Sequence, residues 1–527
     1  MKKFIGNVKK DINTIKKSLP AEDILVFEFQ TNSGRLCALI YADGMVNKQL
    51  LGELVTRPLY SANLPFEPQK QGSMVELNEN SEPKKGSNQQ GEDSDFDGIF
   101  SHQQDVLTAI KEILQFPELK DAENVLEAEK EVLDGNTLLL IDGLTTGIII
   151  GAKYLPVRAI MEPPTDIAVK GPREGFIEDV KTNMALTRKR IKSSALRFEM
   201  HKIGKQSATN VVVCYLEGIT PQNTVDEVTD VLGQIDVDYI PDSSYISNFL
   251  SPQKHSIFAR IGTTEKPDVF AAKIAEGRVG VLVDGSPIAL TLPFLLTENF
   301  QTGEDYFTSP FTATVFRLIR LVSLLIAIFL PAFYVSVQLY KMQLVPLRLM
   351  MTIASATQNI PLSPAMEMFV VLLVLEVLKE SSIRMPKYVG MSLSVVGALV
   401  LGETAVKAGF FSTPSIIIGA FSGICLYTVP DFVETGSLLR WLFLLVAGNF
   451  GPFGIVLLSA FIFVYLVSAD AFGAPLIAPF SPLLTKDLRD SVIKYSMENL
   501  STRPAFLNSP NKTRLKLDKK SKEGGQG

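Results

Sequence analysis

Twenty consecutive residues without a charge, Leu321 to Tyr340 (LVSLLIAIFLPAFYVSVQLY), restrict this chain more than any other feature. A helix rises 1.5 Å per residue, so about 20 apolar residues match the roughly 30 Å hydrocarbon core of a bilayer. The stretch is expected to be a membrane span. Further uncharged runs follow at Tyr388 to Gly402, Ala408 to Pro430 and Trp441 to Ala469. Among them stand Glu367, Glu376, Glu403 and Lys407. Each would cost about 2.5 kcal/mol or more at mid-bilayer unless it meets a partner or water. Spans enclosing a polar path are the simplest arrangement that satisfies them.

Charge divides the chain in two. Charged residues number 16 of the 170 from Phe311 to Phe480 and 91 of the other 357, so the net charge of −5 averages over unlike regions. The start, MKKFIGNVKKDINTIKK, is basic but lacks the apolar core of a secretory signal. Some 310 residues therefore precede the first span with nothing to export them, and they are expected to stay in the cytoplasm. Arg317 and Arg320 at the mouth of that span, and the basic stretch Asn511 to Lys522, agree with the positive-inside rule. Both ends inside require an even number of crossings, and six segments are expected. Cys37, Cys214 and Cys425 are too few and too scattered for a disulfide framework, and read as buried thiols in a reducing compartment.

Ahead of the spans, Ile24 to Phe29 and Arg35 to Tyr41 are β-rich runs around Asn32-Ser33-Gly34, a hairpin signal. A helix over Val46 to Leu54, ending before Pro58, helices at His102 to Leu114 and Asp121 to Leu133, and strands at Leu138 to Ile141 and Gly147 to Gly151 complete a first lobe, residues 1–160. Residues 62–97 interrupt it. Their centre, Asn78 to Asp95, has no aliphatic or aromatic residue and is expected to be a disordered insertion. A basic helix from Glu178 to Ser194 opens a second lobe, residues 161–310. Strands at Asn210 to Tyr215, Ile257 to Ile261 and Arg278 to Val283 then alternate with helices at Val225 to Leu232, Tyr245 to Leu250 and Lys266 to Glu276. The expected fold is a two-lobed α/β N-terminal cytoplasmic domain followed by an all-α multi-span membrane domain, 311–485, and a basic tail, 486–527. Within the membrane part, Leu349 to Met366 reads as interfacial or re-entrant, and GNFGPFG (Gly448 to Gly454) as a helix break giving two short helices or a hairpin.

The charges on the helix from Met366 to Arg384 are the strongest functional signal. Phe369, Leu373, Glu376 and Glu380 share one face by a 3, 4 and 4 spacing and are the candidate pore or gate residues. Glu403 and Lys407 form a candidate structural or gating pair. The bland alternative for Glu380 and Arg384 is an internal i, i+4 pair at a helix end. Asp93-Ser94-Asp95-Phe96-Asp97-Gly98 copies half of an EF-hand loop, but Gln104 takes the place of the bidentate Glu, so a solvated linker is expected rather than a metal site. The run Arg188-Lys189-Arg190-Ile191-Lys192 reads as a solvated helix face. His102, His201 and His255 are scattered, and no catalytic motif, cofactor motif or nucleic-acid signal occurs. The chain reads as a non-enzyme without cofactors.

Five stretches together resemble the A-subunit family of spore germinant receptors. They are EPPTDIAVKGPREGFIEDVKTNMALTRKRIK (Glu162 to Lys192), VVVCYLEGI (Val211 to Ile219), EVLKESSIRMP (Glu376 to Pro386), GALVLGETAVKAGFFSTP (Gly397 to Pro414) and FGAPLIAPFSP (Phe472 to Pro482). The signature residues are Glu162, Pro163, Gly171, Pro172, Arg173, Gly175, Phe176, Asn183, Arg188, Arg190, Arg384 and Pro386. Asp166, Leu476 and Ser381-Ser382 depart from the family pattern. The resemblance implies residence in the spore inner membrane, assembly into a homo-oligomer that conducts cations, and two partners: a transporter-like B subunit that binds the nutrient and a C-subunit lipoprotein. The alternatives are an amplifying paralogue from a sporulation operon, a secondary transporter or a membrane scaffold.

Overall fold

The computed structural model describes residues 2–62, 106–114, 116–154, 170–251, 256–384, 389, 397, 400–496, 498 and 500–514. It divides into two compact units. One comprises residues 1–167, 172–250 and 263–291, and the other 168–171, 251–262 and 292–527.

The first unit is built on two five-stranded sheets. In the first, β1 (Ile24–Gln30), β2 (Leu36–Ala42), β3 (Leu119–Ala122), β4 (Thr137–Ile141) and β5 (Gly147–Ile150) lie in the order β1-β2-β4-β5-β3, every neighbouring pair antiparallel. Alternation along the strands sorts the side chains onto two faces. Ala38 and Ile40 of β2 and Leu138 and Leu140 of β4 meet Val8, Ile12 and Ile15 of α1 (Val8–Ser18) and Val125, Ala128 and Val132 of α5 (Val125–Leu133). Cys37, Leu39, Leu139 and Ile141 face the other way, toward Val55, Leu59 and Ile110. Those last three belong to a helical run on the far side. It consists of α2 (Lys48–Leu51), a π-turn at Gly52–Thr56, α3 (Arg57–Ser61) and α4 (106–113). The helix expected to stop before Pro58 thus continues to Ser61. The wider π-turn bonds Arg57 N–H to the Gly52 carbonyl, and Pro58 enters at the start of α3, where its missing donor costs little. At the other edge, the start of the expected helix at Asp121 belongs to β3, which pairs with β5.

The second sheet has the order β6-β7-β9-β10-β8, with β6 (Leu196–Ile203), β7 (Thr209–Leu216), β8 (Gly262–Thr264), β9 (Val279–Val283) and β10 (Ala289–Leu292). The β6–β7 pairing is antiparallel from Leu196↔Leu216 to Ile203↔Thr209. The helices α6 (Val180–Arg190) and α9 (Pro267–Glu276) bury Met184, Phe270 and Ile274 against Phe198, Val212 and Cys214. Ile257 to Ile261, expected as a strand, is irregular, and the edge strand comes just after it as β8. The expectation of a solvated basic face on α6 holds for Lys189 and Lys192, which are exposed, and is corrected at Arg188. Arg188 is 1 % exposed and forks onto Asp23 at 2.7 and 2.9 Å. Lys189 and Arg190 both reach Glu174, and Lys192 reaches Asp134. Only the Arg188 pair is internal; the others are surface pairs.

The second unit is a helical bundle. Ser309 caps α10 (Pro310–Tyr340), and α11 (Leu347–Thr357), α12 (Pro364–Arg384), α13 (Thr413–Leu426) and α14 (Val433–Ser468) follow. In α14, Gly451 takes φ +61° and ψ −148°, which breaks the helix before Pro452. The element doubles back there. Phe432, just before its start, and Tyr465, near its end, both pack on the Phe258 ring, at 6.2 and 6.0 Å. A straight helix of that length would hold them about 50 Å apart. The break expected in GNFGPFG is thus a hairpin tip, and Tyr340 closes it by donating its hydroxyl to the carbonyls of Gly448 and Asn449 at 3.0 and 2.9 Å. Leu349 to Met366, expected as interfacial or re-entrant, holds most of α11 and the start of α12, with Leu349 and Met351 exposed. Two described stretches, Pro310–Tyr340 and Pro430–Ser468, are long and apolar enough to cross a membrane. Fourteen residues make α13 too short, at about 21 Å, to cross alone.

Candidate functional site

Polar side chains inside the bundle collect at three levels. Nearest the hairpin tip, Glu367 on α12 is 1 % exposed and accepts from the backbone N–H of Ser412 at 2.5 Å. Ser412 caps α13, accepting from Ser415 N–H, and Ser415 lies 3.4 Å from the Tyr334 hydroxyl on α10. A carboxylate at a helix N-terminus meets unsatisfied donors and the positive end of the helix dipole, so Glu367 is held without a cation among the described residues.

The middle level is the charged one. Glu376 on α12 accepts from Ser437 at 3.2 Å and from Arg440 Nη2 at 3.3 Å, both on α14, while its other oxygen takes Lys379 of its own helix. Arg440 Nη1 lies 3.4 Å from Ser422 on α13, and Ser422 donates to the Ala327 carbonyl on α10 at 2.7 Å. Four helices therefore meet through one network. A cavity of about 210 Å³ opens beside it, lined by Glu376, Arg440, Tyr427 and apolar side chains of α12 and α13.

The third level lies at the foot of α10. Arg317, fully buried, bonds Asp305 through Nε at 2.9 Å and the carbonyls of Asp490 and Ser491 through Nη1, both at 2.9 Å. Arg320 forks onto Asp305 at 2.9 and 3.0 Å and also reaches the Phe300 carbonyl and Thr302. Burial pushes the Asp305 carboxyl up, but the hydrogen bonds from Arg320 and Arg317 outweigh it and leave it below the usual carboxylate range. Asp490 goes the other way: burial holds it above that range against the charge of Arg317. Burial, with the Arg317 charge, also lowers Lys494, which bonds the Asp305 carbonyl. Arg317 is thus committed to an internal lock between Asp305 and the segment around Asp490, and Arg320 to the segment from Phe300 to Asp305, rather than presented to lipid headgroups.

These positions divide the expected pore face. Glu376 turns to α14, and Phe369 packs on Trp441 with ring centroids 4.6 Å apart. Leu373, 44 % exposed, and Glu380, which pairs with Arg384 at 2.6 Å, stay on the outside. Glu403 and Lys407 pair with each other on the surface at 2.5 Å. The candidate residue that sequence reasoning missed is Arg440. It borders the uncharged run from Trp441, and its place inside the bundle was signalled only by the apolar residues on both sides of it.

The model of the Bacillus/Clostridium GerA spore germination protein family matches residues 10–506. The chain belongs to the GerA family. Spore germination protein B1 of Bacillus subtilis (strain 168) is 29 % identical over 504 residues, 95 % of this chain and 97 % of that protein. Spore germination protein KA of the same organism is 32 % identical over 392 residues, 74 % of this chain and 72 % of that protein. The crystal structure of the N-terminal domain of the A subunit of the Bacillus megaterium spore germinant receptor GerK3 aligns with a TM-score of 0.37. Its identity is 21 %, and the alignment covers 55 % of this chain and 96 % of that one.

In this GerA-family chain the signature residues have structural work. Gly171 takes φ +115°, and a Cβ there would lie 2.7 Å from the Phe307 ring. Past Pro172, Arg173 and the buried Gly175, Phe176 meets Phe270 edge-on at 5.5 Å, and its N–H donates to the Glu265 carbonyl. Asn183 pins the same loop through both the N–H and the carbonyl of Ile177. Arg188 and Arg190 hold Asp23 and Glu174. Glu162, Pro163 and Pro386 lie outside the described residues, as do the EF-hand-like stretch and most of the insertion. Among the described residues no group of three or more His, Cys, Asp or Glu could hold a metal ion. Cys37, Cys214 and Cys425 are free and buried, and burial pushes the Cys37 thiol up to about 12.

Proposed function

We propose that this protein is the A subunit of a nutrient-responsive spore germinant receptor in the spore inner membrane, and that copies of its helical unit together form a cation path. The observation that carries this reading is the Glu376–Arg440–Lys379 cluster inside the bundle, with Glu376 and Lys379 on the helix whose Leu373 and Glu380 stay exposed. A charged network in hydrocarbon is a standing cost unless a function uses it. Helix direction supports six segments that cross or enter the bilayer. With α10 running from foot to tip, α12 and α13 run from tip to foot, and the two arms of α14 go up and back. The chain between Arg384 and Ser412 then has to return to the tip, which leaves both ends of the helical unit on one side, the cytoplasmic one in this reading. The partners implied by the family resemblance complete the scheme: a transporter-like B subunit that binds the nutrient, and a C-subunit lipoprotein. A nutrient bound to the partner opens the path only by favouring one of two states of the assembly, and a network joining four helices is an element that can take two arrangements.

Spores carrying Glu376→Gln or Leu373→Ala test the path. The first keeps shape and removes charge, and is expected to alter cation release. The second shrinks an apolar side chain and is expected to make spores leak cations or germinate without nutrient. If both variants assemble and match the parent in ion flux and germination, the path lies on another helix. If spores lacking the gene answer every amino acid, sugar and nucleoside as the parent does, the receptor reading fails.

A further inference from the structure

The charged level of the bundle holds one carboxylate for two cations. Glu376 divides its oxygens between Lys379 and Arg440, so the cluster carries one uncompensated positive charge. Arg440 is the under-supplied member. It is 2 % exposed, its two side-chain bonds are long at 3.3 and 3.4 Å, and its Nε–H has no acceptor among the described residues. A guanidinium offers five donors, and a buried one left short of acceptors is costly. The Nε–H is itself closed off from the cavity, so an acceptor entering there would meet the two Nη groups, whose present bonds are long, and the Tyr427 hydroxyl is a second donor in the lining.

The surroundings say what kind of acceptor. Ile424 lines the cavity and is 65 % exposed, and with Phe421 and Ile417 it forms an exposed apolar column along α13. Leu373 and Val377 are exposed on the neighbouring α12. From Tyr427 to Ile417 the column rises about 15 Å, half of the hydrocarbon core and so one leaflet. An anionic group at the Tyr427 end of this column, with an apolar strip of leaflet length beyond it, has the shape of a phospholipid.

We infer that this cavity binds the headgroup of an anionic phospholipid, whose phosphate supplies the acceptor Arg440 lacks while one acyl chain lies along Ile417, Phe421 and Ile424. Guanidinium–phosphate bonds are among the stronger charge-assisted pairs, and basic pockets between membrane helices suit such headgroups. A free phosphate has the same oxygen chemistry but leaves the column bare, which favours the lipid. The inference rests on the bundle lying in a bilayer and not on its conducting ions.

The test uses the full chain, purified in detergent and placed in nanodiscs of phosphatidylcholine alone or mixed with phosphatidylglycerol, with retained lipid counted by native mass spectrometry. Phosphatidylglycerol is expected to be retained about tenfold over phosphatidylcholine. Arg440→Gln should abolish that preference. Tyr427→Phe and Ile424→Ser, which leave the Glu376 pair in place, should each reduce it severalfold without lowering the unfolding temperature, and they decide the matter if Arg440→Gln does not fold. Equal retention of the two lipids, or a preference untouched by all three substitutions, overturns the site. Displacement of the lipid by inorganic phosphate alone overturns the lipid assignment in favour of a free-anion site. Loss of the preference on dilution to monomers, with Arg440→Gln silent, assigns the lipid to a contact between copies and overturns it as well.

Discussion

Replacing Arg188 tests how the first unit is held together. The guanidinium is forked onto Asp23 at 2.7 and 2.9 Å, bonds the carbonyls of Ser193 and Leu196 at 3.1 and 3.4 Å, and lies 5.1 Å over the Phe198 ring. It ties the second sheet's helix α6 to the turn before β1 in the first sheet. Both side chains are nearly inaccessible, so Arg188→Met leaves a carboxylate buried without a partner, a loss of about 3–5 kcal/mol. Asp23→Leu strands the guanidinium for a similar cost. The pair itself contributes much less than either loss, because burial already disfavours the ionised Asp23 and holds its carboxyl above the usual range against the pull of Arg188. The double variant Asp23→Leu/Arg188→Met is therefore expected to recover most of what each single variant loses. Thermal unfolding of the detergent-purified chain by far-ultraviolet circular dichroism reads the difference. At about 2–4 °C per kcal/mol, each single variant should unfold about 6–20 °C lower and the double variant within a few degrees of the parent. Single losses under about 1 kcal/mol, or a double loss equal to their sum, would refute the argument.

Two further outcomes follow from the second unit. Gly451→Ala puts a Cβ 2.8 Å from the Tyr340 ring at a backbone conformation that side chains rarely adopt, and should cost about 1–3 kcal/mol in unfolding experiments; an unchanged melting temperature would mean that the hairpin tip does not need glycine. Asp305, with a folded value below the usual carboxylate range, contributes stability that is complete above about pH 4 and is lost as pH falls through its lowered value. In acid titrations Asp305→Asn should be less stable than the parent at neutral pH and should lose less stability below pH 4; parallel curves would show that Arg317 and Arg320 do not depend on that charge.

How much of this was legible depended on whether the deciding contact was local. Ile24 to Phe29 and Leu138 to Ile141 were readable as strands because runs of aliphatic and aromatic residues favour extended backbone, whether buried throughout as in Leu138 to Ile141 or half-exposed as in Ile24 to Phe29. The edge strands β3 and β8 were not, since Leu119–Ala122 and Gly262–Thr264 are short and become strands only through their neighbours in the sheet. The break at Gly451 could be foreseen because glycine and proline act through their own backbones. Its geometry, a hairpin closed by Tyr340, could not, because that partner lies more than a hundred residues away. Arg188 and Arg440 failed for one reason: a lone cation looks solvated until the fold brings a carboxylate to it, from Asp23 in one case and Glu376 in the other.

The packing of Phe369 on Trp441 has an optical consequence. Trp441 is the only tryptophan among the 527 residues, and it lies on α14 edge-to-face with a ring of α12, the helix that carries Leu373, Glu376 and Glu380. Indole emission from the whole protein therefore originates at the α12–α14 contact, with no other tryptophan to dilute it. Any rearrangement that slides or rotates α12 changes the surroundings of that one fluorophore. The unlabelled protein in a vesicle thus carries its own reporter of movement in this helix pair, readable in the same cuvette in which ion release is followed.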